Sequence, residues 1–525
     1  MGSNPEAKAR LSEAAFNQTI LRSADVSVSV PASGRRGPAR LPLAIAVLAS
    51  IAVRAIPELL AGPWPLGFDA VFRYAPFVHE TQESGLGVAM SGVITERLPP
   101  LFFLFLGIPA SVIPAEPFAF TKVAGVLLAG LLALSMYYFA RRGLEWNTSR
   151  SLLVVLLTSL YFVPLRFSWD MYNNTLGYAF AIIALVHLPR EASNRVRPDL
   201  VFFTMALFSM ITSELTAVLL GAISVVFLAF QLRARRAPAL VLMAVSGLSI
   251  LLSLVYLRVL FPPLSPSSPL APPTFAVVFP FNYVGVDQDI YAYPSVIDVY
   301  TQVLALGAML FLPFVPLAVR GAIADSRVVV WGFVLALAGF SILFSPFAAV
   351  PLWHRWLFML VFPVILMTAN ALAKVHPRKV LAYLLAILLL GVPYLVAPPE
   401  YAFVYYSTPV TTRYVPSSML QNTVPLSDCQ DVVDLILWFN SGGFESPVLL
   451  APARFAGWAH LYARGADVFT VEEPSQINNG NFSAYRHAFY LYWAPFEGWF
   501  DASVMPNGLV LLREWGRIAL YERLP

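Results

Sequence analysis

The stretch LPLAIAVLASIAVRAIPELLAGPWPLGFDAVFRYAPFVHE, residues 41 to 80, decides the architecture of this 525-residue chain. Its first half is an apolar run long enough to cross the roughly 30 Å hydrocarbon core of a bilayer at about 1.5 Å per residue. Its second half turns polar and aromatic, with Asp69, Arg73, His79 and Glu80 in quick succession. The rest of the chain is read in the same two steps, first the apolar runs and then the charge between them.

Working outward, comparable runs recur at 41–57, 117–140, 151–165, 173–188, 199–213, 215–232, 238–260, 298–319, 327–345, 352–372 and 380–397. The composition agrees: 58% of residues are hydrophobic and 12% charged, against about 25% charged in soluble domains. A soluble enzyme is excluded. A net charge of +4 spread over short loops gives no nucleic-acid footprint. Cys429 is the single cysteine, which forbids an internal disulfide or a thiolate metal cluster, and the six histidines form no HxxxH or HxH pair.

With residues 1–40 as a disordered cytoplasmic tail, the basic clusters fall on one side. These are Arg141, Arg142 and Arg150; Arg190, Arg195 and Arg197; Arg233, Arg235 and Arg236; Arg320 and Arg327; and Lys374, Arg378 and Lys379. Short cytoplasmic loops carry such an excess. The segment LPPLFFLFLGIPASVIP, 98–114, breaks this pattern if it is counted as a twelfth span, so it reads as an amphipathic or re-entrant element at the outer interface. The expected organisation is a transmembrane domain over 41–397 with about eleven helices, a first outer loop at 58–116 and a long outer loop at 261–297. An extracytoplasmic α/β domain then follows over 398–525. In that domain VLLAP (448–452) reads as a strand, DVVDLILWFN (431–440) as an amphipathic helix and GLVLLREWGRIALYERL (508–524) as a hairpin.

Charge at the outer surface carries the chemistry. Asp69 lies among Trp64, Phe68, Phe72 and Tyr74; a carboxylate held among aromatics loses solvation and gains base strength, although a cap on a helix start would use the same residue. Asp170, in RFSWDMYNN, is a second acid or a local partner of Arg166. Glu214 is the single charge of TSELT and needs a partner from elsewhere. His354 and Arg355 sit between tryptophans in PLWHRWLFML, where the arginine either snorkels to headgroups or, with Arg73 or Arg97, forks a phosphate. Tyr291, with Asp287, Asp289, Tyr283 and Tyr293, suits sugar hydroxyls and ring faces. No nucleotide-binding, nucleophile-elbow or zinc-protease motif is present.

These motifs resemble the GT-C superfamily of polytopic glycosyltransferases, in particular the protein O-mannosyltransferase and aminoarabinose transferase branch. The resemblance rests on GFDAVFRYAPF with Asp69, on RLPPLFFLF at 97–105, on YYFARRGL at 137–144 and on SWDMYNNTLG with Asp170, and it covers roughly residues 41–232. It implies transfer of a sugar from a polyprenyl-phosphate donor to a glycan, lipid or protein acceptor at the outer face of the cytoplasmic membrane. Asp69 would be the general base and the configuration would invert. Asp170 would share the acid role, and Arg73, Arg97, Glu214, His354, Arg355 and Tyr291 would bind substrate. The family's Asp-Glu pair is absent, since Ala70 follows Asp69, and no acid stands in GWAHLYARG at 457–465. No cofactor is implied, and a divalent metal is an option that no motif indicates. A lipid or solute transporter and a non-catalytic assembly factor are the readings from other classes.

Overall fold

Proline and glycine set the ends of the first membrane helix. In the computed structural model α1 (Arg40–Leu60) contains Pro57, and the chain leaves it through Gly62 at φ +66°, a left-handed turn that glycine adopts without strain. The structure describes residues 40–189, 196–234, 240–256, 296–344, 353–396, 426–471, 477, 482, 485–493 and 508–523. Tyr291 and nearly all of the 261–297 loop lie outside them.

A short π-helical segment, Ala70–Tyr74, follows, then α2 (Ala75–Ser84), α3 (Leu86–Thr95) and α4 (Pro100–Ala110). The double proline of RLPPLFFLF places Pro100 at the first turn of α4, where a missing N–H loses no helical bond. At 11 residues α4 extends only about 16 Å at the usual rise. It packs with α2 and α3 as a helical first-loop element through Phe77, Phe102, Phe103 and Leu106. The next helix, α5 (Pro117–Tyr138), starts on Glu116, whose carboxylate accepts the Ala119 N–H at 2.6 Å.

Helix α6 (Thr148–Leu160) is capped by Asn147 and stops at Tyr161, whose backbone is extended. The chain then turns by 62° into α7 (Phe162–Asp170), which is buried along its whole length. Met171 makes a second break before α8 (Tyr172–Val186). Helices α9 (Val196–Met210), α10 (Glu214–Arg233), α11 (Leu240–Tyr256), α12 (Val296–Phe311), α13 (Val315–Arg320), α14 (Ser326–Gly339), α15 (Ser341–Phe344), α16 (Trp353–Leu372) and α17 (Pro377–Val396) complete the bundle. Among the described residues, Leu41–Leu60, Pro117–Gly143, Glu214–Arg233 and Trp353–Leu372 are long and apolar enough to cross a membrane, with the bent pair as a fifth span; four other apolar segments expected to cross appear as helices of 13–17 residues, at Tyr172–Val186, Pro198–Met210, Leu240–Tyr256 and Ser326–Gly339. This is a polytopic membrane protein.

Arginines tie one end of the bundle. Arg327 donates to the Val186 carbonyl at 3.0 Å and to that of Gly143, and pairs with Asp325. Arg150 bonds Asn370 and stacks 3.6 Å from the centre of the Trp146 ring, while Asn370 donates to the Gly321 carbonyl at 2.9 Å. The first loop, the start of α5 and the turn between α7 and α8 gather at the opposite end.

The C-terminal domain sits on that second end. Helix α18 (Leu426–Ser441) precedes a five-stranded sheet of order β2-β1-β3-β5-β4, formed by β1 (Pro447–Ala451), β2 (Asp467–Thr470), β3 (His487–Trp493), β4 (Leu509–Trp515) and β5 (Ile518–Arg523). Strands β2 and β3 flank β1 in parallel, and helix α19 (Ala453–Tyr462) makes the crossover from β1 to β2. Strands β4 and β5 form the antiparallel hairpin that their alternation suggests. The core beneath the sheet joins Val432, Ile436, Leu449, Trp458 and Phe489 to Val71, Ala75 and Phe118 of the membrane domain.

Gly457 makes that junction possible. A Cβ there would overlap the Val71 carbonyl and stand 3.0 Å from Phe72 Cα, so the α19 backbone rests directly on the π-helical segment. Gly457→Ala is therefore expected to destabilise by about 1–3 kcal/mol, seen as a lower Tm of the detergent-solubilised protein. Gly247→Ala, where a Cβ meets nothing within 4 Å, removes an exposed helical glycine and is expected to leave Tm unchanged or raise it.

Candidate functional site

Two glycine contacts bring the first loop to its position. Trp64 packs edge-on against Trp458, with ring centres 5.2 Å apart, and against Phe118. Three residues later Gly67 meets the end of α7: a Cβ would overlap the Trp169 carbonyl and lie 2.9 Å from Asp170 Cα. The two backbones touch, and that contact delivers the Asp69 N–H to Asp170 Oδ1 at 2.6 Å.

Asp69 stands at the N-cap of the π-helical segment, and its side chain makes no capping bond. Its own N–H goes to the remote carboxylate of Asp170, and Asp69 is 9% exposed. Asp170 is 2% exposed. The charges of Asp69, Arg166 and Arg355 all act on its carboxylate, which also accepts the Asp69 N–H. Two carboxyls and two guanidiniums drawn from three separate segments thus act on one another.

Aromatic rings close this group off. Tyr74 stacks on Tyr172 at 5.1 Å, meets Phe102 edge-on at 4.9 Å and donates to Asn173 Oδ1 at 3.2 Å. Burial and the charges of Asp69 and Asp170 raise its phenol well above the usual value, so it stays a proton donor. On the α16 side, His354 is buried between Trp353 and Phe358, and Arg355 beside it is half-buried. The structure therefore brings together Asp69, Asp170, Arg355 and His354, with Arg166 and Tyr74 beside them.

The other expected residues stand further out. Arg73 is half-buried in the π-helical segment, 5.7 Å from the Phe72 ring centre. Arg97 occupies the turn between α3 and α4 at φ +57°, a left-handed conformation uncommon for a side chain of this size. Glu214 begins α10, and its charge acts on Tyr256 at the end of α11. Its neighbour Ser213 donates to Asn174 Oδ1 at 2.6 Å, which fixes α10 against the start of α8. Among the described residues, no three His, Cys, Asp or Glu side chains are grouped to hold a metal ion, so no step is assigned to one.

A charged cluster beneath the acid pair is missing from the sequence-based expectations. Arg54, fully buried in α1, donates to Glu58 at 2.6 Å and to the Ser168 hydroxyl and carbonyl at 2.9 and 3.2 Å. Lys122 of α5 stands 3.9 Å from Glu58 and donates to the Gly62 carbonyl. The signal was a basic and an acidic residue four apart inside an apolar run, where each charge costs about 2.5–3.5 kcal/mol on insertion scales and pairing offsets part of that.

No family model matches the chain, and no curated protein matches it. Among solved structures, arabinofuranosyltransferase AftD from Mycobacteria matches 92% of this chain and 40% of its own length at 13% identity, with a TM-score of 0.47. The crystal structure of ArnT from Cupriavidus metallidurans bound to undecaprenyl phosphate matches 92% of this chain and 98% of its own, at 13% identity and a TM-score of 0.50. Over nearly the whole of both chains, the molecule thus has a fold similar to that of ArnT.

Proposed function

We propose that this protein is a membrane glycosyltransferase that moves a sugar from a polyprenyl-phosphate donor to an acceptor hydroxyl. The observation that carries the proposal is the joining of Asp69 and Asp170 across 101 residues of sequence, with Arg355 in electrostatic reach. It is made on a fold similar to that of a protein bound to undecaprenyl phosphate. A prenyl chain leaves a bilayer only at large free-energy cost, so a catalyst for such a donor belongs in the membrane, with its polar groups at one end.

In this reading the Asp69 carboxylate, free of capping, takes the proton of the acceptor hydroxyl. The oxygen attacks the anomeric carbon from the face opposite the phosphate. The C–O bond to phosphate breaks, its electron pair leaves with the lipid phosphate, and configuration inverts. Arg355 and Arg73 offset the charge that develops on the departing oxygen. The guanidiniums of Arg166 and Arg355 act on Asp170 and favour an anionic ligand beside it. Arg97 and Glu214 contact the sugar or the acceptor in this reading. The side on which this occurs is the outer face, following the distribution of basic loops.

Asp69→Asn is expected to lower transfer from purified polyprenyl-phosphate sugars by about 10²–10⁴-fold with little change in Tm. Retention of more than about a tenth of the rate, a barrier change under about 1.4 kcal/mol, removes Asp69 from the base role.

Asp170 is tested by two substitutions. Asn keeps an acceptor for the Asp69 N–H and Ala does not, so Ala is expected to reduce kcat by about 10²-fold and Asn by clearly less.

A further inference from the structure

We infer that Arg54 is a positioning residue for the acid pair, acting through the last turn of α7; the inference rests on the function proposed above. A buried arginine in a membrane helix needs partners, and Arg54 donates to Glu58 and twice to Ser168. Ser168 is two residues before Asp170, in the final turn of a helix of nine residues. The last carbonyls of a helix lack partners within it, and a cation beside them is favoured by the helix dipole. Arg54 supplies both to the Ser168 carbonyl, at 3.2 Å, and fixes the side chain of the same residue from Nε, at 2.9 Å.

Glu58 sets the rotamer of Arg54 and balances its charge, 2.6 Å away. Lys122 links Glu58 to α5 and to the turn at Gly62. The residue after Ser168, Trp169, presents its carbonyl to Gly67. The final turn of α7 is therefore held from below by the guanidinium and from above by the first loop, and the direction of the Asp170 carboxyl follows. Since Asp170 Oδ1 holds the Asp69 N–H, the position of the proposed base depends on an arginine that touches neither acid.

The test is a kinetic cycle on the full-length protein in nanodiscs, with a polyprenyl-phosphate sugar as donor and Asp69→Asn as reference. Arg54→Gln is expected to lower kcat by about 10–100-fold while the donor KM changes less than about twofold. Arg54→Lys should restore part of that loss, because an ammonium reaches the carbonyl but lacks the guanidinium fork. In an Asp170→Ala background, where the acceptor for the Asp69 N–H is gone, Arg54→Gln should cost less than about a further twofold.

An equal loss of kcat in both backgrounds, or a loss carried by KM, overturns the inference. Should the Arg54 variants fail to fold, Ser168→Ala decides, since it removes the contact from Nε together with the hydroxyl's bond to the Leu165 carbonyl and leaves the bond from Arg54 to the Ser168 carbonyl: a several-fold lower kcat at unchanged Tm supports the inference, and a wild-type rate overturns it. An active Asp69→Asn protein overturns the proposed base, whereas Arg54→Gln at full rate beside an inactive Asp69→Asn overturns the positioning role alone.

Discussion

The candidate site depends on one backbone crossing. Gly67 lies so close to Trp169 and Asp170 that no side chain fits between the two segments. Close approach of this kind requires a residue without Cβ, and Gly67 needs no unusual φ to provide it. Once the segments touch, the Asp69 N–H has a carboxylate as acceptor, the first loop has a fixed register, and the Asp69 side chain is released from capping its own helix. A backbone donor on a buried carboxylate favours the ionised form, while burial and a neighbouring acid oppose it.

Around this crossing the protein separates its charges. At the far end, arginines such as Arg327 and Arg150 satisfy carbonyls and an amide at the ends of helices and bind no carboxylate of the site. They close the loops there in the way buried polar groups must be closed where water is scarce. At the near end the guanidiniums face acids instead. Arg54 pairs with Glu58, and Arg166 and Arg355 act on Asp170.

Much of this was legible in the sequence, for reasons that differ by element. Asp69 and Asp170 stood out because each is a charge among aromatic residues at the edge of an apolar run. The β4–β5 hairpin and strand β1 were visible from their patterning. The buried ion pair of α1 was not, because Arg54 and Glu58 sit inside a run whose average is apolar, and averaging conceals a compensated pair. The break at Tyr161 was equally hidden: VVLLTSLYFVPLRF reads as one continuous segment, and the bend depends on a phenol that donates to the Leu310 carbonyl 149 residues away. Gly67 and Gly457 gave no local sign of their neighbours, since close approach is a property of two segments and a sequence displays one at a time.

The core shared by the C-terminal sheet and the first loop has a consequence for how the molecule is made. Val71, Ala75 and Phe118 emerge early from the ribosome, but the residues that cover them, from Cys429 to Leu520, are synthesised only after the membrane helices between. The Asp69 loop therefore waits, its apolar face unfinished, through most of translation. A nascent or truncated chain would hold the bundle without a finished candidate site, and the order of synthesis itself delays that assembly until the C-terminal sheet has been made.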